Sequence, residues 1–221
     1  MFVKVNGIRL FYEKSGKGNP IILLHGNGED HTIFDVLTKQ LSENYTVYAI
    51  DSRDHGKSDR VKNLDYNSMA DDIAAFIQAL NVEKPILYGF SDGGIIGILL
   101  AIEYPHMLSK LIISGANIRP DGIKAVYAAL MKIIYFFTRS RKFKLMVTQP
   151  NIAEASLGRI ITPTFILAGS KDLVKEAHTK TIARNIPGSV LQILEGEGHA
   201  SYVLHSEKLH KIIQPFLDAT H

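Results

Sequence analysis

Ser91 is the residue whose local sequence points most directly to chemistry. It lies in Gly89-Phe90-Ser91-Asp92-Gly93, which has the spacing G-x-S-x-G, between an apolar strand-like run and an apolar helix-like run. Glycines on both sides allow a tight strand-to-helix turn on which a serine hydroxyl is exposed. The pattern therefore predicts that Ser91 is a nucleophile. The alternative is a glycine-rich turn that binds a phosphate at a helix N-terminus.

A serine nucleophile needs a base, and the base needs a group that orients it. Asp172 and His199 each follow a strand-like run, as Ser91 does. Parallel strands bring their carboxyl ends to one edge of a sheet, so we expect the three side chains to meet there. Their order along the chain predicts a triad in which His199 moves the proton and Asp172 orients the ring. Glu195 and Glu197 are alternative acids on the loop of His199 itself.

Attack by a serine creates an oxyanion, which backbone amides stabilise. The amide of Asp92, directly after the nucleophile, is the first expected donor. Gly26 and Gly28 let the loop after an early strand turn inward, so the amide of Asn27 is the second. We interpret the neighbouring His25 as a side chain that braces this loop rather than as a second base.

Alternating strands and helices must position these groups. Asn6-Gly7 between two alternating apolar segments predicts a hairpin. Strand-like runs cover residues 2–5, 8–12, 21–24, 45–50, 85–90, 108–114, 164–168 and 189–194, and helix-like segments cover 33–42, 68–80, 93–104, 175–185 and 206–217. This alternation predicts one α/β domain over residues 1–221, with a mostly parallel sheet, helices on both faces and an antiparallel edge.

Residues 117–160 interrupt this rhythm, because the segment is longer than a plain crossover. Residues 123–137 are densely apolar, and the basic run Arg139–Lys144 follows them directly. One interpretation is an inserted lid whose apolar face covers a pocket, followed by a solvated basic turn. The other is an element that lies on a membrane surface. We favour the lid, because the apolar run is short and the net charge is modest.

Composition narrows the function classes without naming one. The 221 residues are 46% hydrophobic and 21% charged, and they contain no cysteine, which excludes a disulfide scaffold and a thiol nucleophile. A net charge of +3 does not favour a nucleic-acid partner, and we expect neither a membrane anchor nor a signal peptide. We expect a cytoplasmic protein that acts on a small molecule. His205 and His210 have poor spacing for a shared metal ion, so no metal site is predicted. Oligomeric state stays open.

Taken together, these motifs resemble the α/β-hydrolase fold superfamily of serine hydrolases across almost the whole chain. The landmarks are His25-Gly26, Asp51–Asp59, the Ser91 turn, Gly169–Asp172 and Gly198-His199. The turn is similar to those of bacterial esterases and of the valacyclovir-hydrolase-like and cofactor-free haloperoxidase-like branches. The family pattern has glycine at the position of Asp54, and we expect this departure to alter the conformation of the loop rather than the chemistry.

The resemblance implies an enzyme without a cofactor that cleaves a carboxylic ester through an acyl-enzyme on Ser91. The small, apolar lid predicts a small, largely apolar substrate with a short or medium acyl group. Other acyl bonds, carbon–carbon bonds, perhydrolysis and a non-catalytic ligand-binding role remain alternatives. A lid of about 44 residues is short for this family and implies a relatively open site. The residues expected to contact substrate are Phe34, Phe90 and Tyr202 in the body and Met131, Ile134 and Tyr135 in the lid.

Overall fold

An eight-stranded sheet runs through the computed structural model, which describes residues 1–219. The strands lie in the order β1-β2-β4-β3-β5-β6-β7-β8. Their bounds are β1 Phe2–Val5, β2 Ile8–Ser15, β3 Asn19–Leu24, β4 Tyr45–Ile50, β5 Ile86–Phe90, β6 Lys110–Ser114, β7 Thr164–Gly169 and β8 Val190–Leu194. The strands from β3 to β8 pair in parallel, whereas β1 and β2 form an antiparallel edge.

Helices cover both faces of the sheet, as the alternation of apolar runs predicts. They are α1 Asp35–Leu41, α2 Tyr66–Ala79, α3 Asp92–Glu103, α4 Ala125–Thr138, α5 Arg141–Thr148, α6 Glu176–Asn185 and α7 Lys208–Asp218. Apolar residues of α2, α3 and α6 form one buried cluster with the sheet, and those of α1 and α7 form the other. Strands buried on both faces explain why their sequences are continuous apolar runs. The predicted α/β-hydrolase fold class is confirmed.

The predicted hairpin at the N-terminus is also present. Val5 pairs with Ile8 across a turn in which Asn6 and Gly7 have φ values of 46° and 79°. Positive φ at both central residues is the conformation for which asparagine followed by glycine is favoured. Because β2 also pairs with β4, the hairpin forms one edge of the sheet, with β1 outermost.

Differences from the expected elements are confined mainly to their ends. The predicted helix over 33–42 is a 3-10 turn at His31–Phe34 followed by α1. The Asp30 carboxylate accepts a hydrogen bond from the Thr32 amide and starts this turn earlier than the apolar pattern suggests. The predicted segment 206–217 begins at Lys208 instead, as α7. The capping contacts that decide where a helix begins or ends cannot be read from the hydrophobic periodicity of the sequence.

The chain between β6 and β7 corresponds to the predicted insertion. It contains α4 and α5 together with short 3-10 turns at Pro120–Gly122 and Glu154–Arg159. Contrary to expectation, most of the basic run forms the start of α5 rather than a turn, although Arg139, Arg141 and Lys144 are exposed. The same helix buries Leu145 against the core. Amphipathic spacing within the run explains the helix. Within residues 1–219, no helix combines the length and apolar character needed to cross a bilayer.

Candidate active site

The Ser91 turn joins β5 to α3 in a strained backbone conformation. Ser91 has φ 53° and ψ −113°, a region that residues with a side chain rarely adopt. A Cβ built on Gly93 would lie 2.1 Å from the Leu24 carbonyl oxygen, and one built on Gly89 would lie 2.2 Å from the Gly93 carbonyl oxygen. Only glycine fits at both positions. The two glycines thus let β5, β3 and α3 approach closely enough to present the Ser91 side chain at the sheet edge.

The structure brings Ser91, His199 and Asp172 into a continuous hydrogen-bonded chain. His199 Nε2 lies 3.1 Å from Ser91 Oγ, and His199 Nδ1 lies 2.7 Å from Asp172 Oδ1. A carboxylate only accepts, so Nδ1 carries the proton and Nε2 is left to accept from the serine hydroxyl. Asp172 is buried, and its Oδ1 also accepts from the Val174 amide at 2.9 Å. This geometry suits removal of the Ser91 proton by His199.

The two alternative acids on the His199 loop have other partners. Glu195 accepts a hydrogen bond from Ser170 Oγ at 3.2 Å. Glu197 accepts from Ser201 Oγ and forms an ion pair with Lys208. These contacts direct both carboxylates away from the ring. Asp172 is therefore the acid that the geometry favours.

Asn27 and Asp92, whose amides are the predicted oxyanion donors, are tied together by their side chains. Asn27 Nδ2 donates to Asp92 Oδ2 at 2.8 Å. Asp92 is the first residue of α3, so its own amide has no acceptor within that helix. The loop before Asn27 packs closely on the nucleophile, since a Cβ built on Gly26 would lie 3.1 Å from Ser91 Cβ. The positive end of α3 adds to the stabilisation expected for an anion at this point.

The Asp92 carboxyl also contacts a residue that no sequence pattern indicates. The Tyr66 hydroxyl, at the start of α2, donates to Asp92 Oδ1 at 2.8 Å. Burial raises the pKa of Asp92 to about 6, although these two hydrogen bonds oppose the rise. Tyr66 lies 26 residues before Asp92, and nothing in its surroundings in the sequence distinguishes it from a core tyrosine. Its contact depends on how α2 packs on α3.

Two buried histidines support the loop that carries Asn27. The Ser52 amide donates to His25 Nε2 at 3.0 Å, so Nδ1 carries the proton and donates to the Gly26 carbonyl at 2.8 Å. The His55 ring lies 5.2 Å from the His25 ring, centroid to centroid. Burial lowers the pKa of His25, and it lowers the pKa of His55 to about 4. His25 thus braces the loop, in line with its interpretation from sequence.

Because His55 is buried, the free energy of unfolding of the protein depends on pH in the acid range. The His55 pKa of about 4 in the folded state lies below the ordinary value of 6.5, so the unfolded chain binds the extra proton between these pH values. Above pH 6.5 the neutral His55 contributes fully to the free energy of unfolding. As pH falls towards 4, this free energy decreases by about 3 kcal/mol. His55→Asn keeps a donor for the Arg53 carbonyl, which His55 Nδ1 contacts at 2.9 Å. We expect the variant to lose less unfolding free energy than the wild type over this range.

Denaturant unfolding at several pH values measures this difference. Asp92 has a raised pKa and acts in the opposite direction in the same range, but it is present in both proteins and cancels in the comparison. Parallel curves of unfolding free energy against pH for the two proteins would contradict the role given to His55.

The body residues predicted to contact substrate are buried beneath the site. Phe34 and Tyr202 have no exposed surface, and Phe34 packs edge-on against Tyr88 at 5.7 Å. The Phe90 ring lies 4.9 Å from the His199 ring. In this conformation Phe34 and Tyr202 support the core, and Phe90 supports the histidine. Direct contact of any of the three with substrate stays a prediction.

The lid residues predicted to contact substrate face the body. Met131 is buried, and Ile134 and Tyr135 are half-buried on the same side of α4. Met131 contributes to a cavity of about 380 Å³ whose wall also includes Ile123 and Val147. A β-bridge between Ile123 and Val174 connects this wall to the loop that carries Asp172. Ser91, His199 and Asp172 are not among the residues that line this cavity.

One cluster of potential metal ligands, Asp30, His31 and Asp51, occurs in the part of the chain that the structure describes. Asp51 Oδ1 accepts from the amide and from Nδ1 of His31, at 2.8 and 2.6 Å, and Asp51 Oδ2 accepts from the Lys57 amide at 2.8 Å. These bonds connect the chain that follows β3 with the loop that follows β4. We assign the cluster a structural role, and the sequence had not singled it out.

Comparisons with known proteins agree with this architecture. The model of the α/β hydrolase fold family matches residues 19–143, more than half of the chain. Serine hydrolase BPHL of Homo sapiens is 30% identical over an alignment that covers 97% of this chain and 85% of the human protein. The AB hydrolase superfamily protein YisY of Bacillus subtilis is also 30% identical, with 95% of each chain covered.

Solved structures show the same fold. The esterase EaEST from Exiguobacterium antarcticum superposes with a TM-score of 0.86 at 23% identity, covering 99% of each chain. A thermophilic esterase from Thermogutta terrifontis superposes with a TM-score of 0.81 at 22% identity, covering 98% of this chain and 96% of the other. The chain therefore belongs to the α/β hydrolase fold family, as the resemblance of its motifs predicts, and is a hydrolase.

Proposed function

We propose that the protein is a carboxylesterase that cleaves esters of small, largely apolar substrates through an acyl-enzyme on Ser91. The observation that carries the proposal is the chain of hydrogen bonds from Ser91 Oγ through His199 to Asp172, at 3.1 and 2.7 Å. Ser91 is half-buried and His199 keeps 18% of its side-chain surface exposed, so that a small ester has access to the hydroxyl.

In the first half of the proposed reaction, Ser91 Oγ attacks the ester carbonyl while His199 Nε2 takes its proton. The new Oγ–C bond converts the carbonyl into a tetrahedral oxyanion, which the amides of Asn27 and Asp92 stabilise. Collapse of this intermediate breaks the bond to the alcohol oxygen, and His199 returns the proton to that oxygen. Asp172 stabilises the transient positive charge on the ring.

In the second half, water takes the place of the alcohol. His199 accepts a proton from water as its oxygen attacks the acyl carbon, and the same two amides hold the second oxyanion. Breaking the Oγ–C bond releases the carboxylic acid and restores the Ser91 hydroxyl, with the proton returned from His199. No group beyond this chain, the ester and water is needed to balance the reaction.

The names of the relatives support this choice of chemistry. The human relative is called a serine hydrolase, and a relative from Haemophilus influenzae that is 27% identical is called a putative esterase/lipase. The same three side chains also permit cleavage of amides, thioesters and carbon–carbon bonds, and perhydrolysis. Assaying an ester beside the matched thioester and amide distinguishes these reactions. We expect the ester to have the highest kcat/KM.

Acyl-chain length tests the substrate class. Apolar residues such as Ile123, Met131 and Val147 line the cavity of about 380 Å³ below α4, and we expect short or medium acyl chains to occupy it. In a series of p-nitrophenyl esters from acetate to palmitate, kcat/KM should peak between acetate and octanoate. Ser91→Ala is the control for hydrolysis outside the site. A maximum at palmitate would contradict the proposal.

The remaining parts of the proposal concern cellular context. We propose a cytoplasmic enzyme whose substrate is a small molecule, with Phe90, Met131, Ile134 and Tyr135 nearest to it. Cell fractionation with an antibody against the native protein tests the location. Recovery mainly from an extracellular fraction would overturn it.

A further inference from the structure

Helix α4 is apolar on both of its sides, although only one side packs on the protein. The inner side holds Met131, Ile134 and Tyr135, which are buried or half-buried. The outer side exposes six large apolar residues: Val126, Tyr127, Leu130, Ile133, Phe136 and Phe137. Exposure reaches 70% for Val126 and 78% for Phe137. A helix that is hydrophobic all round is normally covered on all sides, so this outer face indicates a partner.

Positive charge is concentrated in the same segment. Residues 117–160 contain eight basic and two acidic residues, a net charge of +6, whereas the whole chain carries +3. The other 177 residues therefore carry a net charge of −3. Residues 124–144, which include all of α4, contain six basic residues and no acidic one. The modest net charge of the chain thus conceals a strongly basic insertion on a mildly acidic body.

Part of this charge lines a cleft at the end of α4. Arg60, Arg139, Arg141 and Lys142 border a space of about 410 Å³, with Asp54 as its acidic member. Asp54 accepts from Arg141 Nη2 at 3.0 Å, which leaves the cleft with an excess of positive charge. With Arg141 paired to Asp54, the cleft holds two further guanidinium groups and one ammonium group, which together suit a phosphate group.

The cleft and the outer face of α4 are continuous. The Arg139 guanidinium lies 5.2 Å from the centre of the Phe136 ring, and Phe136 stacks edge-on with Phe137 at 5.2 Å. Arg139 caps α4 with a left-handed φ of 52°, which ends the helix and turns the chain towards the cleft. A basic cleft that adjoins exposed aromatic rings matches the junction between lipid headgroups and acyl chains.

We propose that α4 docks reversibly on an anionic phospholipid bilayer, with its outer apolar face among the acyl chains and a headgroup phosphate in the cleft. The helix has 14 residues and is about 21 Å long, shorter than a hydrocarbon core of about 30 Å, so it lies in the interface and does not span. Docking of this kind adds a membrane partner that does not follow from the esterase chemistry.

Charge argues against one of the two other partners that such a surface suggests, and the exposed apolar residues argue against the other. A second copy of the chain would bring two segments of net charge +6 together, and like charges repel. Nucleic acid would complement the charge but would leave Val126, Leu130 and Phe137 exposed to water. An anionic bilayer satisfies both the apolar face and the basic cleft.

Flotation of the full-length protein with vesicles tests the proposal. Vesicles of phosphatidylcholine alone are compared with vesicles that contain phosphatidylglycerol, at low and at high salt. We expect binding that is at least about tenfold stronger to the anionic vesicles and that weakens with salt. Equal binding to both vesicle types, or no binding to either, would overturn the proposal.

Matched variants separate the apolar and the basic contributions. Phe136→Ser with Phe137→Ser should weaken binding about tenfold or more. Val190→Ser, at an exposed apolar residue on β8, should not. Arg139→Gln with Lys144→Gln should weaken binding and reduce its salt dependence, whereas Lys17→Gln with Lys211→Gln should have little effect. Arg139, Lys144, Lys17 and Lys211 are all exposed. Turnover of p-nitrophenyl acetate checks that each variant is folded.

Two further outcomes identify a different partner. Sedimentation velocity without lipid should give a monomer; a dimer that Phe136→Ser with Phe137→Ser dissociates would assign the face to a second copy. Addition of duplex DNA should leave vesicle binding largely intact at moderate salt. Displacement by DNA, together with unchanged binding of the phenylalanine variant, would show a general polyanion site and overturn the proposal.

Discussion

Ser91→Ala is expected to lower kcat for a p-nitrophenyl ester by about 10⁴- to 10⁶-fold. The variant keeps the turn and the amides proposed as oxyanion donors, but it has no oxygen to form the acyl-enzyme. Residual activity would come from water attacking an ester that the amides of Asn27 and Asp92 still polarise. Steady-state kinetics of the purified variant, with circular dichroism to verify folding, give the measurement.

An exposed serine at the opposite end of the sheet provides the control for Ser91. Ser109 directly precedes β6, and its amide donates a hydrogen bond to the Pro85 carbonyl. Ser109→Ala therefore removes a serine hydroxyl outside the candidate active site. It should keep wild-type activity. A Ser91→Ala enzyme that retains a tenth or more of wild-type kcat would exclude Ser91 as the nucleophile.

Asp172→Asn is expected to lower kcat by about 10⁴-fold with a much smaller change in KM. The Asp172 carboxylate accepts a hydrogen bond from His199 Nδ1 at 2.7 Å. Because the carboxylate is buried, the positive charge that forms on the ring has little other stabilisation. An amide at this position favours the tautomer that leaves Nε2 protonated and unable to take the Ser91 proton. The shape of the side chain is retained, so the fold should be unaffected.

Glu197→Gln is the matched control for Asp172→Asn, because it neutralises a neighbouring acid on the His199 loop. Glu197 contacts Ser201 and Lys208 rather than the ring, so its loss should change kcat little. If Glu197→Gln were as damaging as Asp172→Asn, the assignment of the orienting acid would be wrong.

The candidate site was predictable from sequence to the extent that it depends on strand ends. Ser91, Asp172 and His199 each follow an apolar strand, and parallel strands place such residues at one edge whatever the details of packing. Local sequence also indicates the backbone of the turn, since only glycine fits at positions 89 and 93. The hairpin at Asn6-Gly7 was predictable for a similar reason, because its two residues require positive φ.

Contacts between distant side chains could not be predicted in this way. The Tyr66–Asp92 hydrogen bond depends on the packing of α2 against α3, which periodicity does not describe. Asp54 illustrates the same limit. Asp54 has a φ of 65°, a backbone conformation that glycine favours, and the family pattern has glycine at this position. Its ion pair with Arg141 depends on how the inserted segment packs on the body, which the sequence does not show.

The apolar run of α4 shows where composition misleads. A dense apolar segment predicts burial, and Met131 is indeed buried, yet the run is apolar on both sides and the body covers only one of them. Sequence alone does not reveal how many sides of a helix will find a neighbour. The lid interpretation concerns the inner face of this helix, and the proposed membrane docking concerns its outer face.

Labelling with a fluorophosphonate, followed by mass spectrometry of the digested protein, tests the central claim most directly. The probe phosphonylates a serine, with loss of fluoride, only when a base has activated its hydroxyl. The geometry predicts one adduct, on Ser91, that is absent from Ser91→Ala and much slower to form in Asp172→Asn. A folded protein that stays unlabelled, or an adduct on another residue, would contradict the assignment of Ser91, His199 and Asp172 as a catalytic triad.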